Sequence, residues 1–101
     1  EHPDFVEVVI HSYRHRFGLV AGDPAYADVE RRLAAEPVIS VPTITFDGAD
    51  DGVRPPSKPE ASARRFAGPR SHRVVPGVGH NMPQEVPAVF AQAVLELIES
   101  T

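Results

Sequence analysis

Apolar positions in the first part of the chain recur every three or four residues. Phe5, Val6, Val9, Ile10, Tyr13 and Phe17 place one apolar stripe along "PDFVEVVIHSYRHRFG", which predicts a helix. Pro3 suits the first helical position, and Asp4 and Glu7 suit the positive end of the helix dipole. Arg14, His15 and Arg16 suit the negative end, and Gly18 marks the stop. The same grammar returns in "DPAYADVERRLAAEP". Asp23 is an N-cap candidate, Pro24 follows, Tyr26, Val29 and Leu33 form the stripe, and Pro37 closes it. The period then changes. "VPTITF" (41–46) is short and β-branched, with Pro42 near its start, and "SHRVV" (71–75) is a second short strand. Between them "SKPEASARRFAGP" carries Ser57 and Glu60 at capping-box spacing, predicting a helix that ends at Gly68-Pro69. Val86, Val89, Phe90, Ala93, Val94, Leu97 and Ile98 form a last helical stripe, with Pro87 in its first turn. That stripe reads as packing against a sheet.

The order helix, helix, strand, helix, strand, helix defines an α/β fold. A single-helix crossover between two strands implies parallel pairing and a right-handed connection. Both strands then end on the same carboxyl edge, where ligands bind in open α/β sheets. That edge receives two unusual loops, "DGADDGVRPP" (47–56) and "GVGHNMPQE" (77–85). Asp50 or Asp51 and His80 should therefore be neighbours. Gly77 and Gly79 let the second loop reach backbone angles closed to other residues and aim the imidazole at the strand ends. Two parallel strands make a poor sheet on their own, because parallel sheets are wider and covered on both faces. The chain reads as one end of a larger fold.

"VPTITFDGADDGVRPP", followed by "VPGVGHNMPQEVPAVFAQAVLEL", resembles the C-terminal third of α/β-hydrolase-fold enzymes. In that family a strand ending in Gly-x-x-Asp supplies an acid, and a Gly-x-Gly-His loop supplies the base. The resemblance implies Asp51, three residues after Gly48, as the acid and His80 as the base of a catalytic triad. Their chain order agrees with the family's nucleophile, acid, histidine. It further implies that residues 1–37 are the end of a cap and its return helix, and that residues 38–101 are the C-terminal βαβα part of the hydrolase core. Tyr13 and Arg14 on the cap-side helix become candidates for lining a substrate pocket. The family's nucleophile elbow, Gly-x-Ser-x-Gly or its Asp version, is absent, since no serine here has that glycine frame. The resemblance therefore implies hydrolysis of a small ester, epoxide or carbon–halogen bond by a complete protein whose missing N-terminal part carries the nucleophile. The isolated chain is expected to be inactive. The alternative from another class is a non-catalytic binding module that reuses the fold.

Composition narrows the partners. Ten Lys and Arg against fourteen Asp and Glu leave a formal charge of −4, which argues against nucleic acid. No apolar run reaches the roughly 20 residues of a membrane span. With no cysteine there is no disulfide framework and no thiolate metal site, and a reducing, cytoplasmic setting is expected. Eleven prolines fall at element borders rather than in one tract. His11 and His15 are four apart on a helix, which could suit a metal, but no glutamate follows His11 in the metalloprotease pattern. The reading is no metal and no cofactor, with a small-molecule substrate. His2 and His72 read as surface residues, and Arg64, Arg65, Arg70 and Arg73 as one solvated face. Oligomeric state has no signature in the sequence.

Overall fold

The computed structural model describes residues 2–101 and divides into two compact units, Glu1–Glu36 and Pro37–Thr101. In the first, α1 spans Phe5–Arg16. It starts two residues after Pro3, not at it, because the Phe5 N–H closes a turn onto the His2 carbonyl at 3.0 Å. At the far end the Gly18 N–H bonds the His15 carbonyl at 3.0 Å and the Leu19 N–H bonds the Arg14 carbonyl at 2.9 Å. This Schellman arrangement has Gly18 at φ 72° and satisfies carbonyls that the helix end leaves open. Asp23 accepts the Ala25 N–H at 2.9 Å and caps a 3-10 turn, Pro24–Tyr26, that runs into α2, Ala27–Ala34. His15 Nε2 faces Glu30 Oε1 of α2 at 3.6 Å. Tyr13 does not pack inward as its stripe suggests; it is 57% exposed.

The second unit is α/β. Strand β1, Thr43–Gly48, pairs in parallel with β2, Arg70–Val75, from Thr43 opposite Arg70 to Gly48 opposite Val75. β1 starts after Pro42, which lacks an N–H for the ladder, and Thr43 then donates to the Pro69 carbonyl at 2.9 Å. The crossover is not the α-helix predicted. It holds a 3-10 segment, Pro59–Arg65, without a side-chain cap. The Ser57 N–H that a capping box would use goes instead to Asp47 Oδ2 at 3.1 Å. The Pro59 carbonyl, which an α-helix would bond four residues on, accepts from Arg70 Nη1 at 3.2 Å.

A short helix α3, Met82–Glu85, leads into α4, Pro87–Ser100, with Pro87 at the helix start. α4 lies against β1, and Arg73 of β2 pairs with its Glu96 at 2.5 Å. Alternation along β2 therefore splits the expected arginine face. Arg73 points to α4, while Arg70 points to the opposite side and stacks on Phe66 at 4.3 Å. His72 is likewise not a surface residue, its side chain being only 9% exposed. Among the described residues the buried apolar ones are Val78, Met82 and Ala93. Of the α4 stripe, Ala93 is buried and Leu97 half-buried, whereas Val89, Phe90, Val94 and Ile98 stay exposed. A sheet of two strands is too narrow to cover a helix face this wide.

Candidate active site

Two backbone bonds bring the two edge loops together, and a third turns the first loop back on itself. The Ala49 N–H reaches the Val75 carbonyl at 2.9 Å, Asp50 reaches the Val78 carbonyl at 2.9 Å, and Asp51 turns back onto the Gly48 carbonyl at 3.2 Å. Such proximity requires glycine at 48, where a methyl group would fall on the carbonyl oxygens of Val78 and Gly79. Val78, 2% exposed, anchors the second loop. Of the two loop glycines only Gly77 uses the left-handed region, at φ 69°. Gly79 makes room for a side chain instead. Its N–H donates to Glu85 Oε2 at 2.5 Å, and a methyl there would press on the same carboxylate.

Asp51 Oδ2 and His80 Nδ1 lie 2.8 Å apart. The other carboxylate oxygen, Oδ1, accepts the Val53 and Arg54 N–H groups, each at 2.8 Å. These contacts set the charge state. The Arg54 N–H, then His80, hold the Asp51 carboxyl below the usual aspartate range, against the opposing effect of burial, and the Val53 N–H adds to them. An ionised carboxylate only accepts hydrogen bonds, so the bond to it must come from Nδ1–H of His80. The imidazole then carries its lone pair on Nε2. The Asp51 side chain is 10% exposed and that of His80 is 50% exposed, so the acid is enclosed and the base is open.

Such a pair can orient a base, accept a proton at Nε2 and stabilise the resulting imidazolium. Asp50 contributes its backbone N–H to the loop junction and has no part in the pair. Tyr13 and Arg14 lie on α1 in the helical unit, with exposed side chains. Among the described residues no group of three or more His, Cys, Asp or Glu side chains is placed to hold a metal. His15, the metal candidate with His11, faces Glu30. Among the described residues no helix is long and apolar enough to cross a membrane. Glu85 escaped the sequence reading. Its one sequence clue, an acidic residue five positions after His80, carries no mechanism until the fold brings it back to Gly79.

The chain matches a crystal structure of a "putative epoxide hydrolase" from Klebsiella pneumoniae subsp. pneumoniae MGH 78578, with 49% sequence identity and a TM-score of 0.84. In sequence and fold this chain is similar to part of that protein. The match takes in 94% of this chain and 32% of that one, so the chain spans about a third of its relative's length. No family model matches the hydrolase-like chain, and no curated protein does. Its resemblance to part of a hydrolase, first read from the loops at 47–56 and 77–85, stands on this likeness as well.

Proposed function

We propose that the chain is the C-terminal βαβα portion of an α/β-fold hydrolase, preceded by the end of a cap, and that it supplies two members of a triad. His80 is the base and Asp51 the acid that orients it. The observation that carries this reading is the 2.8 Å contact between His80 Nδ1 and an Asp51 carboxylate whose other oxygen is already filled by two backbone N–H groups. The nucleophile belongs to the part of the protein that lies before Glu1. If it is a serine, His80 Nε2 removes its proton as the oxygen attacks an ester and returns that proton to the leaving group. If it is a carboxylate, the substrate is an epoxide or a carbon–halogen bond. His80 then deprotonates the water that cleaves the ester intermediate. In both cases Asp51 stays ionised. Tyr13 and Arg14, on the cap side, are proposed to line the pocket for a small-molecule substrate, and the protein is proposed to work in the cytoplasm.

The test is an assay of the complete polypeptide against a panel of small esters, epoxides and haloalkanes. Turnover that disappears in His80→Gln, with an unchanged circular dichroism spectrum, supports the reading. Turnover that persists in His80→Gln removes His80 from the chemistry. A complete protein with no Ser, Asp or Cys at an elbow would favour the binding-module alternative. Ester turnover by the purified 101-residue chain would contradict the location of the nucleophile.

A further inference from the structure

The face of the sheet opposite α4 carries a second acid–imidazole pair that the proposed chemistry does not use. Thr45 and Asp47 of β1 share this face with Arg70 and His72 of β2, Thr45 standing directly opposite His72. Arg70 donates to Thr45 Oγ1 through both Nε and Nη2, each at 3.2 Å, and through Nη2 to Ser62 Oγ at 2.9 Å. A hydroxyl oxygen has two acceptor positions, and Arg70 fills them. The Thr45 hydroxyl then has its own proton to donate, and His72 Nδ1 at 2.9 Å and the Ser71 carbonyl at 3.5 Å are both within its reach. The other ring nitrogen of His72 is Nε2. This nitrogen is buried, has no hydrogen-bond partner among the described residues, and faces Asp47 Oδ2 at 3.4 Å. The same Oδ2 accepts the Ser57 N–H at 3.1 Å.

Asp47 and Ser57 are the two ends of the loop that carries Asp51, so their bond closes that loop at its base. The residues between them hold both N–H groups that orient Asp51 Oδ1. We propose that Asp47, through the hydrogen bond it accepts from the Ser57 N–H, is a positioning residue for the Asp51–His80 pair. It acts by fixing where the Asp51 loop returns to the sheet. The proposal deepens the hydrolase reading and rests on it for its kinetic consequence. Its geometric consequence is independent of that reading.

The experiment uses the complete polypeptide and two measurements. One is kcat and KM on whichever ester, epoxide or haloalkane the protein turns over. The other is the downfield proton resonance of the His80 Nδ1–H, which reports its bond to Asp51 directly. Asp47→Ala should lower kcat by about tenfold or more, since small displacements of an orienting group have large effects. KM should stay within about twofold, and the His80 resonance should broaden or vanish. Asp47→Asn keeps an oxygen for the Ser57 N–H and should restore most of both. Ser57→Pro removes that N–H without touching the sheet and should reproduce Asp47→Ala, which decides the matter if Asp47→Ala fails to fold. A folded Asp47→Ala or Ser57→Pro protein with an unchanged His80 resonance overturns the proposal. Loss of the resonance in a protein whose His80→Gln variant remains active upholds the positioning role and removes His80 from the chemistry instead.

Discussion

The carboxylate of Glu85 holds the backbone N–H of Gly79 at 2.5 Å, so the turn that presents His80 is tied to the helix that follows it. Two flexible residues flank Val78 in that turn, and an unanchored loop of this kind would sample many imidazole positions. Glu85→Ala should therefore lower kcat by roughly tenfold or more while KM changes little. Glu85→Gln keeps an acceptor oxygen and should recover most of the loss. Equal kcat in wild type and Glu85→Ala would mean that the glycine turn needs no tether.

Gly48 is the point at which the two loops touch. Adding one methyl group drives it into the Val78 and Gly79 carbonyls, and overpacking of this kind costs about 1–3 kcal/mol. Gly48→Ala should thus be destabilised by that amount in denaturant melts, and should lose activity beyond its stability loss because Asp51 and His80 are pushed apart. Gly52, one residue past Asp51, has open space around it. Gly52→Ala is the matched control and should stay within about 0.5 kcal/mol of wild type.

Asp51→Asn keeps the shape of the side chain and removes its negative charge. The amide no longer demands a proton on His80 Nδ1, so the tautomer with a free Nε2 lone pair loses its stabilisation. On the proposed function, kcat of the complete protein should fall on the order of 10⁴-fold, the effect of the same change at the aspartate of a serine-protease triad. The His80 Nδ1–H resonance should be lost at the same time. A loss of less than about tenfold would move the acid role away from Asp51, and Asp50→Asn, expected to be near neutral, is the comparison.

Stability should fall on the acid side. The Asp51 carboxyl is held below its ordinary range by the Arg54 N–H and His80, and Glu96 is held below its own by the Arg73 guanidinium. A carboxyl with a depressed folded pKa adds stability above its unfolded value, roughly 3.9 for Asp and 4.3 for Glu. It loses that stability as pH falls through the lower folded value. Tm should therefore be insensitive to these two groups from pH 7 to about 5 and drop below about 4. The drop should shrink in Asp51→Asn and in Glu96→Gln. An acid limb of the same steepness in both variants would show that other carboxyls govern it.

The sequence by itself determined most of the periodic elements and the parallel pairing of the two strands. The stripes of α1 and α4 and the β-branched run into β1 are local signals, and a crossover segment of about twenty residues between two strands suits parallel pairing. From that alone Asp51 and His80 had to leave the sheet on one edge. Other features depended on partners distant in the chain. Arg70 takes the Pro59 carbonyl at the start of the 3-10 segment, and Asp47 takes the Ser57 N–H that a capping box would use. His72 is enclosed because strand register sets it opposite Thr45, and Glu85 matters because helix α3 turns it back onto Gly79. Period and chain order are written along the backbone, whereas a side chain's hydrogen-bond partner is chosen among groups that only folding brings within about 3 Å.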